Sequence, residues 1–153
     1  MHRRSLCAGL IVASVLATIR VRAASPATPE EAKALAEKAA AHMREVGPEK
    51  ALADFSNPAG GFMDRELFVV VYGPDHKIVT SAGLPVLLGK DATTLKDVEG
   101  HPFGQEILDL AKTKGSGWVD YRMTNPATKK IGQKTSWVIR VGNYVLFVGA
   151  YKS

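Results

Sequence analysis

The side chains with chemical potential collect near the end of the chain, between residues 115 and 151. Residues 115–141 alternate in character and read as two strands joined by the turn-rich loop Asn125-Pro126-Ala127-Thr128-Lys129-Lys130. Gly142-Asn143 then separates two further apolar runs, a short-turn signal that adds a third strand. With those two residues as the turn, Val141 faces Tyr144, Lys134 pairs with Tyr151, Ser136 with Gly149 and Val138 with Phe147. Across the longer loop, a register that sets Tyr121 opposite Ser136 also sets Met123 opposite Lys134. One face then gathers Tyr121, Met123, Lys134, Ser136, Phe147, Gly149 and Tyr151. A slip of one residue in that loop would send Tyr121 to the opposite face.

The chemistry of such a face turns on its lysine. A strand lysine ordinarily runs its stem along the sheet and keeps its ammonium in water. The other reading is a partly desolvated ammonium awaiting an anionic partner, because an unpaired buried charge is costly. Phenols and a hydroxyl beside it would supply the remaining hydrogen bonds. That arrangement describes a pocket for a small carboxylate.

The elements that must hold these residues begin after a leader. His2, Arg3 and Arg4 precede an apolar run over residues 6–19, and Val21-Arg22-Ala23 offers a cleavage site after Ala23. Residues 1–23 are therefore expected to be a secretory signal peptide, with residues 24–28 a linker and 29–153 one domain. The apolar run is short for a membrane span, and no span is expected after cleavage. The leader carries four of the 20 Lys and Arg and none of the 15 Asp and Glu. Its removal leaves 16 basic against 15 acidic side chains, a formal charge of +1. No basic stripe remains to argue for nucleic acid. The single cysteine, Cys7, also lies in the leader, so the domain has no disulfide or thiol chemistry. A periplasmic or secreted location follows.

Along the domain, Thr28-Pro29-Glu30-Glu31 starts a helix with a capping box. Ala32, Leu35, Ala36, Ala39, Met43 and Val46 give it one apolar stripe, and Gly47-Pro48 stops it. Residues 49–55 read as a second short helix, 66–72 and 78–81 as strands, 82–88 as ambiguous, and 102–114 as a helix ended by Gly115. Five strands with mostly hairpin connections make an α+β domain around one antiparallel sheet.

The sequence holds no Gly-x-Ser-x-Gly motif, phosphate loop or cysteine nucleophile. His42, His76 and His101 lack metal-site spacing and are expected at the surface. Gly115-Ser116-Gly117 is punctuation between helix and strand rather than a nucleophile elbow. No catalytic residue, metal ligand or cofactor is expected, and the chain is not read as an enzyme.

Several segments together resemble the extracellular Cache domains, specifically the second subtype of the single-Cache group. They are residues 51–58 (ALADFSNP) with Gly60-Gly61-Phe62, residues 66–70, Leu88-Gly89-Lys90-Asp91, and residues 95–100 (LKDVEG). Gly117-Trp118-Val119-Asp120-Tyr121, Asn125-Pro126, Lys134 and Val148-Gly149-Ala150-Tyr151 complete the pattern. The resemblance implies a PAS-like fold, with the long N-terminal helix packed behind the sheet, that binds small organic acids outside the cytoplasm. It implies a sensing role, here as a free-standing member without its own output domain. Where relatives often carry a histidine after the second strand, this chain has Thr80-Ser81-Ala82-Gly83. Trp137 stands where a tyrosine would be expected.

The candidate ligand site is accordingly Lys134 on the acid, with Tyr121, Tyr151 and Ser136 orienting it. Trp118 and Met123 would exclude water, and Ser81 would be a further hydrogen-bond partner. Phe62, Phe68 and Tyr72 are candidate lining residues, although apolar strands also fill cores. The alternative is an interaction module without a working pocket that docks on a membrane-bound sensor or transporter.

Overall fold

The structure, a computed structural model, describes residues 25–153; the expected leader lies outside them. Helix α1 (Pro29–Val46) begins as its sequence dictates. Thr28 Oγ1 accepts from the Glu31 amide at 3.2 Å, and the Glu31 carboxylate accepts from the Thr28 amide at 2.8 Å. Gly47, at φ +85°, ends it and leads directly into α2 (Pro48–Ser56). The expected linker is partly built into the fold, since Ala27 is buried and its amide donates to Glu66 Oε1 at 2.7 Å.

The strands are β1 (Met63–Asp64), β2 (Leu67–Phe68), β3 (Val70–Tyr72), β4 (Ile78–Ser81), β5 (Ser116–Thr124), β6 (Ile131–Val141) and β7 (Tyr144–Tyr151). Five form an antiparallel sheet in the order β4-β3-β7-β6-β5, and β1 and β2 make a separate hairpin. The fold is α+β and PAS-like, as expected. The strand expected over residues 66–72 is in fact divided at Val69. Its first part folds back on β1 through Arg65, which takes a left-handed φ of 55° without being glycine. That conformation is held by the Arg65 guanidinium, which donates to Ser25 O, Glu31 Oε1 and Asp64 Oδ2. The ambiguous stretch after β4 becomes a bend and a single 3-10 turn, Pro85–Leu87.

Each sheet face has its own core. On one, α1 lays Ala32, Ala36, Ala39, Ala40 and Met43 against Val69, Val71, Ile139, Leu146, Val148 and Ala150. Alanines let the helix axis approach the sheet closely. Leu35 is only half-buried and Val46 is exposed, so the working stripe is narrower than its spacing suggests. On the other face, α3 (Phe103–Thr113) packs Phe103, Ile107, Leu108 and Ala111 over Val70, Tyr72, Val119, Tyr121, Val138 and Phe147. The loop before α3 is fastened to β5 by Asp97, whose carboxylate accepts from the amides of Glu99, His101 and Arg122, each at 2.9 Å. Those amides hold its carboxyl below the usual carboxylate range.

His42 departs from the expectation of exposure. It is half-buried, 2.7 Å from Asp54 Oδ2, and its ring packs on Phe62 with centroids 4.9 Å apart. No helix among the described residues is long and apolar enough to cross a membrane.

Candidate functional site

The β6–β7 hairpin fixes half of the site. Gly142 supplies the left-handed first position of a two-residue turn, at φ +58°. The pairs Val141–Tyr144, Val138–Phe147, Ser136–Gly149 and Lys134–Tyr151 follow as expected. The other half differs. The β5–β6 register pairs Tyr121 with Lys134, Val119 with Ser136 and Met123 with Gly132, two residues from the expected alignment. Lys129 at φ +59° and the bond from the Asn125 amide to Lys130 O, 2.8 Å, close the connecting loop more tightly. An offset of two preserves the pleat, so the seven expected residues still share one face.

At its centre Lys134 is half-buried, with its ammonium 5.2 Å from the ring centre of Tyr151 and 5.7 Å from that of Phe68. It makes no ion pair or hydrogen bond to any described residue. Burial pushes its pKa from 10.5 down to about 8, and the Glu66 carboxylate acts weakly in the other direction. Beside it Tyr121 is buried, stacked on Phe103 at 4.2 Å, with its hydroxyl 2.8 Å from Ser136 Oγ. Gly149 lies beneath all three. A Cβ there would stand 2.5 Å from Ser136 Oγ, 2.6 Å from Lys134 Cε and 3.3 Å from the Tyr121 hydroxyl. The bare backbone lets these groups converge.

The remaining candidates divide. Tyr151 offers its ring face to the amine, while its hydroxyl donates to Thr124 O at 3.0 Å. Met123 is half-buried at the rim of the same cluster. Ser81 is buried on this face, but its hydroxyl is already used, donating to Leu84 O at 2.9 Å. Trp118 is not brought to this cluster: it lies on the opposite face, 40 % exposed, edge-on to Trp137. The expectation that it walls the pocket is corrected, and alternation along β5 is the reason. Phe62 also belongs elsewhere, packed on Phe55 at 4.7 Å on the α1 side. Phe68 does face the amine. Its place depends on Gly83, where any Cβ would collide with the ring.

A cleft of about 620 Å³ lies apart from this cluster, between α3 and the start of β7, bordered by His76, Lys112 and Arg140. It is open and its basic side chains are exposed, whereas Lys134 is half-buried among its neighbours. Chemical distinction therefore lies with the Lys134 cluster, where a cation and hydroxyl groups meet in partial exclusion from water.

A PAS-like sheet flanked by a long N-terminal helix, with a polar cluster on the face away from that helix, defines the architecture of this α+β domain. The chain belongs to the Cache domain family, whose family model matches residues 38–151. It is similar in structure to the periplasmic sensor domain of a chemotaxis protein, with a TM-score of 0.61 and 23 % identity over 81 % of this chain and 90 % of that one. A methyl-accepting chemotaxis protein from Vibrio parahaemolyticus superposes with a TM-score of 0.65 and 19 % identity, over 80 % and 86 % of the two chains. A third structure, a Cache chemosensory domain described for carboxylic acid recognition, gives 0.60 and 23 % identity over 81 % and 88 %. No match was found among curated protein sequences.

Proposed function

We propose that this protein is an extracytoplasmic, non-enzymatic binding domain that recognises a small organic acid and serves a sensing role. The observation that carries the reading is the Lys134 ammonium, drawn out of water against two aromatic rings without a counter-charge at contact distance. A carboxylate would supply the missing charge, and charge-assisted hydrogen bonds would offset the desolvation. The Tyr121–Ser136 hydroxyl pair stands ready to orient the acid, with the ring of Tyr151 and the side chain of Met123 limiting water. Membership of the Cache family and the structural likeness to a domain described for carboxylic acid recognition support the same class of ligand.

Thermal melts of the purified protein against acetate, propionate, lactate and pyruvate test it. A ligand at a hundred times its Kd should stabilise the fold by about 2.7 kcal/mol. Lys134→Ala should abolish that stabilisation and leave the unliganded fold intact; Lys134→Met, which keeps the stem and removes only charge, should do the same. Unchanged affinity of either variant by calorimetry removes Lys134 from the site. A flat panel for the unaltered protein turns the balance to a module that docks on a membrane-bound sensor or transporter.

A further inference from the structure

The open cleft at the other end of the β6–β7 hairpin has a chemistry of its own. Arg140 and Val145, which pair beside the turn, border it, whereas Lys134 pairs with Tyr151 at the far end. Arg140 and Lys134 share a face of β6 but stand about 20 Å apart along the strand. Three elements each bring a basic side chain to the cleft: His76 from the turn between β3 and β4, Lys112 from α3, and Arg140 from β6. None of the three forms an ion pair with another described residue. Arg140 Nε donates to Gly142 O at 2.8 Å, which steadies the guanidinium, and its terminal nitrogens donate to no described residue. His76 holds a left-handed φ of 63°, a conformation that costs a glycine less, so its side chain is kept against the preference of the backbone. The bonds from the His76 amide to Gly73 O, 3.0 Å, and from the Ala92 amide to His76 O, 2.8 Å, fix it there. Against these basic groups the cleft sets one carboxylate, Asp109, whose Oδ1 already accepts from Gln105 Nε2 at 2.9 Å. Its floor is apolar and buried, made by Leu108, Ala111 and Val145.

We propose that this cleft is a second ligand site, independent of any ligand at Lys134, for an anion that carries an apolar body. The Arg140 guanidinium, a forked donor suited to planar or tetrahedral oxyanions, takes the acidic group together with Lys112 and His76. Leu108, Ala111 and Val145 cover the body. A cleft of about 620 Å³ is in the range of ligand sites and has room for an aromatic carboxylate or an aromatic phosphate monoester. A bare small anion would meet only solvated charges at the open rim, which are worth little. Contact with the apolar floor supplies the rest of the affinity.

The test is an NMR titration of the isotope-labelled protein with benzoate, phenyl phosphate, acetate and benzyl alcohol. Benzoate or phenyl phosphate should shift the amides of Leu108, Lys112, Asn143 and Val145 saturably, and the tighter of the two names the acidic group. Acetate lacks the body and benzyl alcohol lacks the charge, so each should bind there at least about tenfold more weakly. Arg140→Gln should weaken the aromatic anion about tenfold and Lys112→Gln about threefold. Lys33→Gln removes the same charge from the α1 side and should change nothing. Melts of the unliganded variants check the fold; if Arg140→Gln loses its turn contact and melts lower, Lys112→Gln, which breaks no bond to a described residue, decides the matter. Four results overturn the assignment: no saturable shift at those amides with either aromatic anion, an equal response to acetate or benzyl alcohol, undiminished affinity in both cleft variants, or an equal loss in Lys33→Gln. Shifts confined to Lys134, Ser136 and Gly149 overturn it as well, and leave the carboxylate reading of Lys134 standing.

Discussion

The two faces of the central sheet are built from the same three long strands yet do opposite things with them. Toward α1, the side chains of β6 and β7 meet alanines, and helix and sheet close on each other through short, apolar contacts. Toward α3, the alternate residues of those strands include a lysine, a serine and a glycine, met by two tyrosines. Pleating makes this division possible, because neighbouring residues along one strand answer to different partners. The α1 face lends the sheet stiffness. The α3 face is where stability is given up for a cluster whose polar groups are only partly satisfied.

The comparison breaks most sharply if substitutions on the two faces are not separable. Ala36, on the sheet-facing side of α1, is completely buried, so Ala36→Leu should force helix and sheet apart and cost about 1–3 kcal/mol. Chemical denaturation should show that loss as a lower midpoint, with acid affinity in the surviving folded fraction unchanged. Gly149→Ala is the counterpart on the other face. Its new methyl meets the ends of side chains, Ser136 Oγ at 2.5 Å and Lys134 Cε at 2.6 Å, rather than backbone. We expect a smaller loss of stability, about 1 kcal/mol, and a loss of acid affinity of roughly tenfold or more, which corresponds to at least 1.4 kcal/mol in binding. A Gly149→Ala protein that binds as before would mean that Lys134 and Ser136 do not act from their observed positions.

Sequence periodicity carried this division of faces further than it carried the details. Gly142-Asn143 admits a single tight turn, so the pairing of β6 with β7 could be read residue by residue. The six-residue connection between β5 and β6 does not, because its closure depends on Lys129 taking a left-handed conformation that its side chain does not advertise. The face survived the error only because the offset was even. The same alternation would have removed Trp118 from the site, since it differs by an odd number of positions from Tyr121. What no pattern could reveal was the β1–β2 hairpin, whose turn lacks glycine and is held by contacts of Arg65 with residues 34 and 40 positions away. The buried Tyr72 hydroxyl, which makes no hydrogen bond among the described residues, was likewise invisible, because a missing partner is a property of packing and not of a residue type.

The remaining effect concerns pH and sharpens the contrast by isolating one charge. Lys134 is lowered to about 8 in the fold from 10.5, so below pH 8 it is protonated in both folded and unfolded states, and the folded state bears the cost of its desolvation. Between about 8 and 10.5 the unfolded chain holds the proton that the folded one has lost, and stability from this group rises with pH across that window. Lys134→Met should therefore melt several degrees above the unaltered protein at pH 7, with the difference shrinking as pH approaches 10.5. Acid binding should move in the reverse sense. The carboxylate needs the ammonium, so affinity should decline as pH passes upward through 8 and approach a tenfold loss per unit well above it. Paired melts and titrations from pH 6.5 to 10 would read both trends. A constant difference between the two proteins, together with a flat affinity profile, would mean that the amine keeps its hydration and that the two faces differ in shape alone.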